Sequence, residues 1–171
     1  MIDTIPAILS NGFASAIPPV EMVVRLVVAA ALAAVIGFER EWHDRPAGLR
    51  THLLVAIASA TFAMITVEIV QLPLFSGDTM RTDPLRLVEA ITSGVAFLAA
   101  GFIIFHKGEV HGVTTGAGMW LAACIGLASG LGLFALAFLA CIAGAIVVML
   151  LRRLEVRLKF KGRRSRKTTD E

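Results

Sequence analysis

Gly37-Phe-Glu-Arg-Glu-Trp-His-Asp-Arg-Pro-Ala-Gly-Leu-Arg-Thr-His52 is the only densely charged stretch of this chain that lies between two long apolar runs. It holds Glu39, Arg40, Glu41, Asp44, Arg45 and Arg50, with His43 and His52. Ionisable side chains are costly in a bilayer, and lipid-exposed loops do not occur there. Such a stretch therefore sits at one mouth of a helical bundle or folds back against it. It is the first candidate for a functional site.

The surrounding composition supports a membrane reading. Of 171 residues, 57% are hydrophobic and 17% charged, with mean hydropathy +0.79. A soluble domain is usually about 45–50% apolar. Nine of the sixteen Lys and Arg follow Leu151, so the remainder is almost entirely lipid-compatible. The length suits one domain. Cys124 and Cys141 lie in apolar runs without metal-ligand spacing and read as small core residues. The amino end is not a convincing signal peptide: Asp3 replaces a basic region, and Pro6, Gly12, Pro18 and Pro19 interrupt any long apolar segment.

Five spans are expected, at about 20–38, 53–71, 85–105, 113–129 and 131–151, after an arm over 1–19 and before a basic tail over 152–171. Pro18-Pro19 starts the first span, since proline suits the first helical turn. Arg25 near its beginning is expected to snorkel to the headgroups. Asp44 is expected to cap the second helix, with Pro46 in its first turn. Residues 72–84 read as a connecting loop, and Asp83-Pro84 as the next helix start. His106 to Gly112 reads as a short polar loop. From Gly112 to Leu151 no charge occurs over forty residues, roughly 60 Å of helix against a hydrocarbon core of roughly 30 Å. Two spans broken at Ser129-Gly-Leu-Gly132 fit this better than one.

The fold class is thus an all-α membrane protein, a bundle of about five transmembrane helices. Thirteen of the sixteen basic residues fall on one side of it. The positive-inside rule puts that side in the cytoplasm, with the N-terminus periplasmic and the C-terminus cytoplasmic.

Polar and small residues recur at helical spacing. His52, Ser59 and Thr66 share a face with Ala56 and Ala63, either lining the bundle interior or bonding locally to backbone. Glu68 lies near the outer end of the same span, either functional or at the interface. Arg86 and Glu89 are spaced to pair, on a face shared with Ser93. Gly94 and Gly101, seven apart, are expected to permit close helix contact. Gly108, Gly112 and Gly116 make two overlapping GxxxG spacings, of which Gly112–Gly116 is the plausible interface; Gly126 and Gly130 make a third. Thr114 and Thr115 are placed to cap the fourth span. Trp120 lies too deep for an aromatic belt and is expected to pack inside.

In the charged stretch, Glu39, Glu41 and Asp44 are weak candidates for a hard divalent cation. Arg40, Arg45 and Arg50 can neutralise all three, so internal salt bridging is the favoured reading. No nucleophile–base pair, phosphate loop or metalloprotease motif occurs, which argues against an enzyme, and no cofactor is called for. The tail from Arg152 to Lys167 is expected to lie on anionic lipid headgroups at roughly 1 kcal/mol per basic residue. Nucleic-acid binding is a poor reading of it.

Gly37-Phe-Glu-Arg-Glu41 followed by Arg45-Pro-Ala-Gly-Leu-Arg-Thr-His52 resembles the signature of the MgtC/SapB membrane protein family. Two further blocks agree in order: Asp83-Pro-Leu-Arg86 leading to Ser93-Gly94 and Gly101, and Gly112-Val-Thr-Thr115 leading to Trp120 and Gly130-Leu-Gly132. The likeness runs from about Val23 to Ala140. It implies a bacterial inner-membrane protein linked to growth at low magnesium and to intracellular survival of pathogens. It further implies a regulator that restrains the proton-driven ATP synthase, or contacts another membrane complex, rather than a pump. A magnesium or other cation transporter is the alternative, and a homo-oligomer is left open. On this reading, Glu39, Arg40, Glu41, Arg45, Pro46, Ala47, Gly48, Leu49, Arg50, Thr51 and His52 form the surface a partner meets. Longer members carry a soluble carboxyl-terminal domain, whose functions are not carried over. Where the family usually has Gly-Phe-Leu-Gly-Ala-Gly, this chain reads Ala96-Phe-Leu-Ala-Ala-Gly101, and its common Gln is Ala90.

Overall fold

A computed structural model describes residues 15–71, 83, 85–106 and 109–167. Among these, five helices run α1 Pro19–Trp42, α2 Leu49–Gln71, α3 Leu85–Ala100, α4 Val113–Gly130 and α5 Phe134–Lys167. Strands β1 Ile104–His106 and β2 Glu109–His111 form an antiparallel hairpin between α3 and α4. The protein is an all-α membrane protein apart from this hairpin. Three of the helices, α1, α2 and α4, are long and apolar enough to cross a membrane. The connecting loop over 72–82, Pro84 and the first fourteen residues of the arm lie outside the described residues.

Helix α1 runs four residues past the expected 38 and α2 begins four before the expected 53, and two boundaries depart further. The third span was expected to reach Phe105, yet α3 ends at Ala100. Its sixteen residues rise about 24 Å, less than a hydrocarbon core of about 30 Å. The reason is local: β-branched and aromatic Ile104 and Phe105 suit a strand, and they pair with His111 and Val110. Gly112, at φ 87, turns the chain into α4, where a side chain would strike the Phe102 carbonyl. At the other end, α5 passes the expected boundary at 151 and remains helical to Lys167. The Arg-, Lys- and Leu-rich sequence favours helix there and contains no proline. The side chains of that stretch lie outside the described residues.

The break in the long apolar run falls where the glycines predicted it. α4 ends at Gly130, Gly132 adopts φ 78, and α5 begins at Phe134. The Arg25 guanidinium donates to the Gly130 carbonyl at 2.6 Å and to Glu21 at 2.5 Å. A cation there complements the negative end of the α4 dipole.

α4 is the central helix and touches all four others. Its sequence explains this: ten of its eighteen residues are buried, nearly all of them small. Lipid supplies no hydrophobic drive between helices, so association rests on close van der Waals packing. The main core joins Ala29 and Ala33 of α1, Ala56 and Ala60 of α2, and Met119, Ala122 and Ala123 of α4. The closest approach is at Gly126 and Gly130. A Cβ on Gly126 would lie 2.8 Å from Ala56 Cα, and one on Gly130 2.7 Å from Ala60 Cα. Gly112–Gly116 is not that seam, because Gly112 makes the turn and Gly116 meets Ala99 of α3. α2 and α3 touch only lightly.

Candidate functional site at the first helical turn

The buried stripe of α1 runs Ala29, Ala33, Ile36, Gly37, Arg40. The three- and four-residue steps of a helix therefore carry its last member, a cation, into the bundle. The buried stripe of α2 begins at His52 and continues through Ala56, Ser59, Ala60 and Ala63. Both stripes meet α4 at Thr115 and Gly118. Arg40 donates from Nη2 to Thr115 Oγ1 at 3.2 Å. His52 is fully enclosed. Its Nδ1 lies 2.9 Å from the Gly48 carbonyl; a carbonyl only accepts, so Nδ1 carries hydrogen. Glycines make room for this imidazole on two sides. A Cβ on Gly37 would stand 2.9 Å from His52 Cβ, and one on Gly118 3.1 Å from His52 Nε2.

The expected pairing of Arg40, Arg45 and Arg50 with Glu39, Glu41 and Asp44 is absent among the described residues. Among the described residues the ion pairs are Glu21–Arg25 and Glu39–His43, the latter at 3.2 Å. Arg40 instead donates to a hydroxyl on α4. Glu41 turns to α2 instead, where Oε2 accepts the Leu49 N–H at 2.9 Å. Asp44 is not the cap: it sits at φ 49 in the turn, five residues before α2 begins. Pro46 likewise precedes the helix. Ala47 is buried in the main core. Gly48 leaves the space the Glu41 carboxylate occupies, since a Cβ there would displace it.

Glu41, Asp44, Arg45, Pro46, Gly48, Arg50 and Thr51 line an open polar recess of about 390 Å³ beside this cluster. Three buried polar atoms lack a hydrogen-bond partner among the described residues: Glu39 Oε2, Arg40 Nε and His52 Nε2. All belong to the opening stretch, which makes it the polar focus of the bundle. No group of three or more His, Cys, Asp or Glu side chains converges among the described residues, so Glu39, Glu41 and Asp44 do not form a joint cation site.

The other sequence candidates scatter. Asp83 accepts the Leu85 N–H at 2.9 Å and starts α3. Arg86, Glu89 and Ser93 are exposed, and no ion pair joins Arg86 to Glu89. Gly94 faces open space rather than a helix, and Gly101 lies in the turn after α3. Thr114 is exposed; the N-cap of α4 is Gly112, without a side-chain cap. Trp120 is half-exposed instead of interior, with Nε1 3.4 Å from the Thr92 carbonyl. Thr66 bonds its own helix at Phe62. Glu68 gathers the arm before α1, accepting from the Ser15 hydroxyl and from the N–H groups of Ala16 and Ile17 at 2.9 and 3.0 Å. Cys141 is buried and Cys124 exposed. Sequence reasoning missed Gly37 and Gly118 as the walls of the His52 niche. Their spacing gave no signal, because each faces a different helix.

Comparison with known proteins places this architecture. The model of the MgtC family matches residues 26–157. The putative magnesium transporter YhiD of Escherichia coli K12 is 34% identical over 142 residues, covering 83% of this chain and 66% of YhiD. Protein MgtC of Brucella abortus strain 2308 is 41% identical over 134 residues, covering 78% of this chain and 52% of that protein. The chain thus spans between about half and two thirds of the length of these relatives. No solved structure matches it.

Proposed function

This chain belongs to the MgtC family, and from that membership we propose a non-enzymatic, multi-pass protein of the bacterial inner membrane that acts by contacting another membrane complex. The proton-driven ATP synthase is the first candidate partner. The setting is adaptation to low magnesium and intracellular survival. The N-terminus is periplasmic, and the charged turn and the end of α5 are cytoplasmic. There the basic end of α5 meets anionic headgroups.

One observation carries the preference for contact over transport. An ion path needs polar groups or water through the bilayer middle. Here the middle is closed by backbone packing of α2 on α4 at Ala56–Gly126 and Ala60–Gly130. Of the buried hydroxyls nearby, Ser129 is spent on the Ile125 carbonyl at 2.8 Å. The polar groups cluster instead at the turn between α1 and α2.

The second reading is a magnesium or other cation transporter, favoured by the name of the Escherichia coli relative. Purified protein in liposomes holding a magnesium-sensitive dye separates the two. No flux above empty liposomes is expected. Saturable uptake abolished by Glu39→Ala would overturn the contact reading.

A further inference from the structure

Two hollows of the molecule meet on α2. An apolar groove of about 410 Å³ opens between α2 and α3, walled by Leu54, Ala58 and Phe62 on one side and Ala90, Gly94 and Leu98 on the other. It exists because α3 is held by α4, at Ala99–Gly116 and Thr92–Trp120, while α2 and α3 touch lightly. The polar recess of about 390 Å³ begins one turn earlier on the same helix. Arg50, Leu54, Ala58 and Phe62 are four apart, so they form one stripe. Arg50 lines the recess, and Leu54 lines the groove. Thr51 and Val55 repeat this step beside them. Each hollow falls within the range of about 300–1,000 Å³ usual for small-molecule sites.

The occupant must be apolar along the groove and charged within one helical turn of its end. A helix of a second copy, apolar and ending in charge, is the competing occupant, and the dimer test below separates it. A phospholipid meets both. The recess also sets the headgroup. Arg45 and Arg50 are exposed cations that form no ion pair among the described residues, and Asp44 is an exposed carboxylate that forms none there either. Glu41 adds a second carboxylate at the wall. A phosphate suits the two guanidinium groups, and a primary ammonium suits the carboxylates. We propose that the groove and recess together bind one aminophospholipid, with an acyl chain along α2 and α3, its phosphate at Arg45 and Arg50, and its ammonium at Asp44. A purely anionic headgroup leaves the carboxylates facing like charge.

Native mass spectrometry of the full chain tests this, after delipidation in the presence of equal phosphatidylethanolamine, phosphatidylglycerol and phosphatidylcholine of the same acyl chains. One phosphatidylethanolamine is expected to remain bound, in preference to either of the others. Arg50→Gln should weaken its retention about tenfold, the loss of one charge-assisted contact. Gly94→Leu should do the same by filling the groove; nothing lies within 4 Å of a Cβ there, and a melting temperature no lower than the parent's marks the variant as folded. Phe138→Ala, an exposed position on α5, should leave retention unchanged. Equal retention of the three lipids, preference for phosphatidylglycerol, or indifference to both groove and recess variants overturns the proposal. So does an Ala58→Cys variant that forms a disulfide-linked dimer in the membrane, since a second copy then fills the groove.

Discussion

The Glu41 carboxylate accepts the Leu49 backbone N–H at 2.9 Å across the turn that joins α1 to α2. The last turn of one helix thereby supplies the cap of the next, from eight residues upstream. The first N–H groups of a helix have no partner within it, and a negative charge there also complements the dipole. The two ends of the turn are tied in this way. Gly48 is the residue that lets the carboxylate in.

Removing this cap should loosen the turn without dissolving the bundle. Glu41→Ala is expected to cost about 0.5–2 kcal/mol, the usual range for a lost N-cap. Glu41→Gln, which still offers an acceptor, should cost less. Gly48→Ala should resemble Glu41→Ala by displacing the carboxylate. Thermal unfolding of the three variants in one detergent checks the order; a Gly48→Ala protein as stable as the parent would contradict it.

Arg40 and Thr115 offer a second measurement. Thr115→Val keeps the volume and removes the hydroxyl that Arg40 reaches at 3.2 Å. A buried donor without its acceptor should cost about 1–3 kcal/mol, while Thr115→Ser should restore most of it. Chemical unfolding in mixed micelles reads the difference.

Glycine substitutions should split by sign. Gly94 has no atom within 4 Å of a Cβ, so Gly94→Ala should stabilise by about 0.4–1 kcal/mol through the unfolded chain. Gly126 packs on the Ala56 backbone, so Gly126→Ala should destabilise by about 1–3 kcal/mol or more from overpacking. Melting temperatures moving in the same direction would refute this assignment of the helix seam.

Glu68 should hold the arm rather than serve transport. In Glu68→Ala the Ala16 amide loses its acceptor and Ile17 keeps only the longer bond to Ser15 Oγ, so their hydrogen exchange should quicken. Exchange in the middle of α4 should stay as slow as before. Unaltered protection at residues 16 and 17 would mean that something else secures the arm.

The charged stretch shows how far sequence reading reached. Its place at the end of the bundle follows from charge alone, because lipid excludes ions. Its internal wiring did not follow. Counting charges paired three arginines with three carboxylates, yet Arg40 goes to Thr115, seventy-five residues away, and Glu41 goes to a backbone N–H. Trp120 misled in the same way. Its depth in the sequence suggested the interior, but α4 turns it to the margin beside Thr92. Gly94 and Gly101 had the spacing of a seam, and only the docking of α3 on α4 left Gly94 facing the groove.

What the sequence by itself determined is whatever depends on solvent and on local chain geometry. Apolar length sets the spans, charge marks their ends, prolines start α1, and glycines break α4 from α5. What only the tertiary structure decided is which helix faces which. α4 became the hub because small residues let backbones approach on every side, and van der Waals contact is the main force left once lipid replaces water. That contact depends on the shapes of two surfaces together. No single segment of sequence carries it, and so neither the His52 niche nor the α2–α3 groove was legible before the helices were placed.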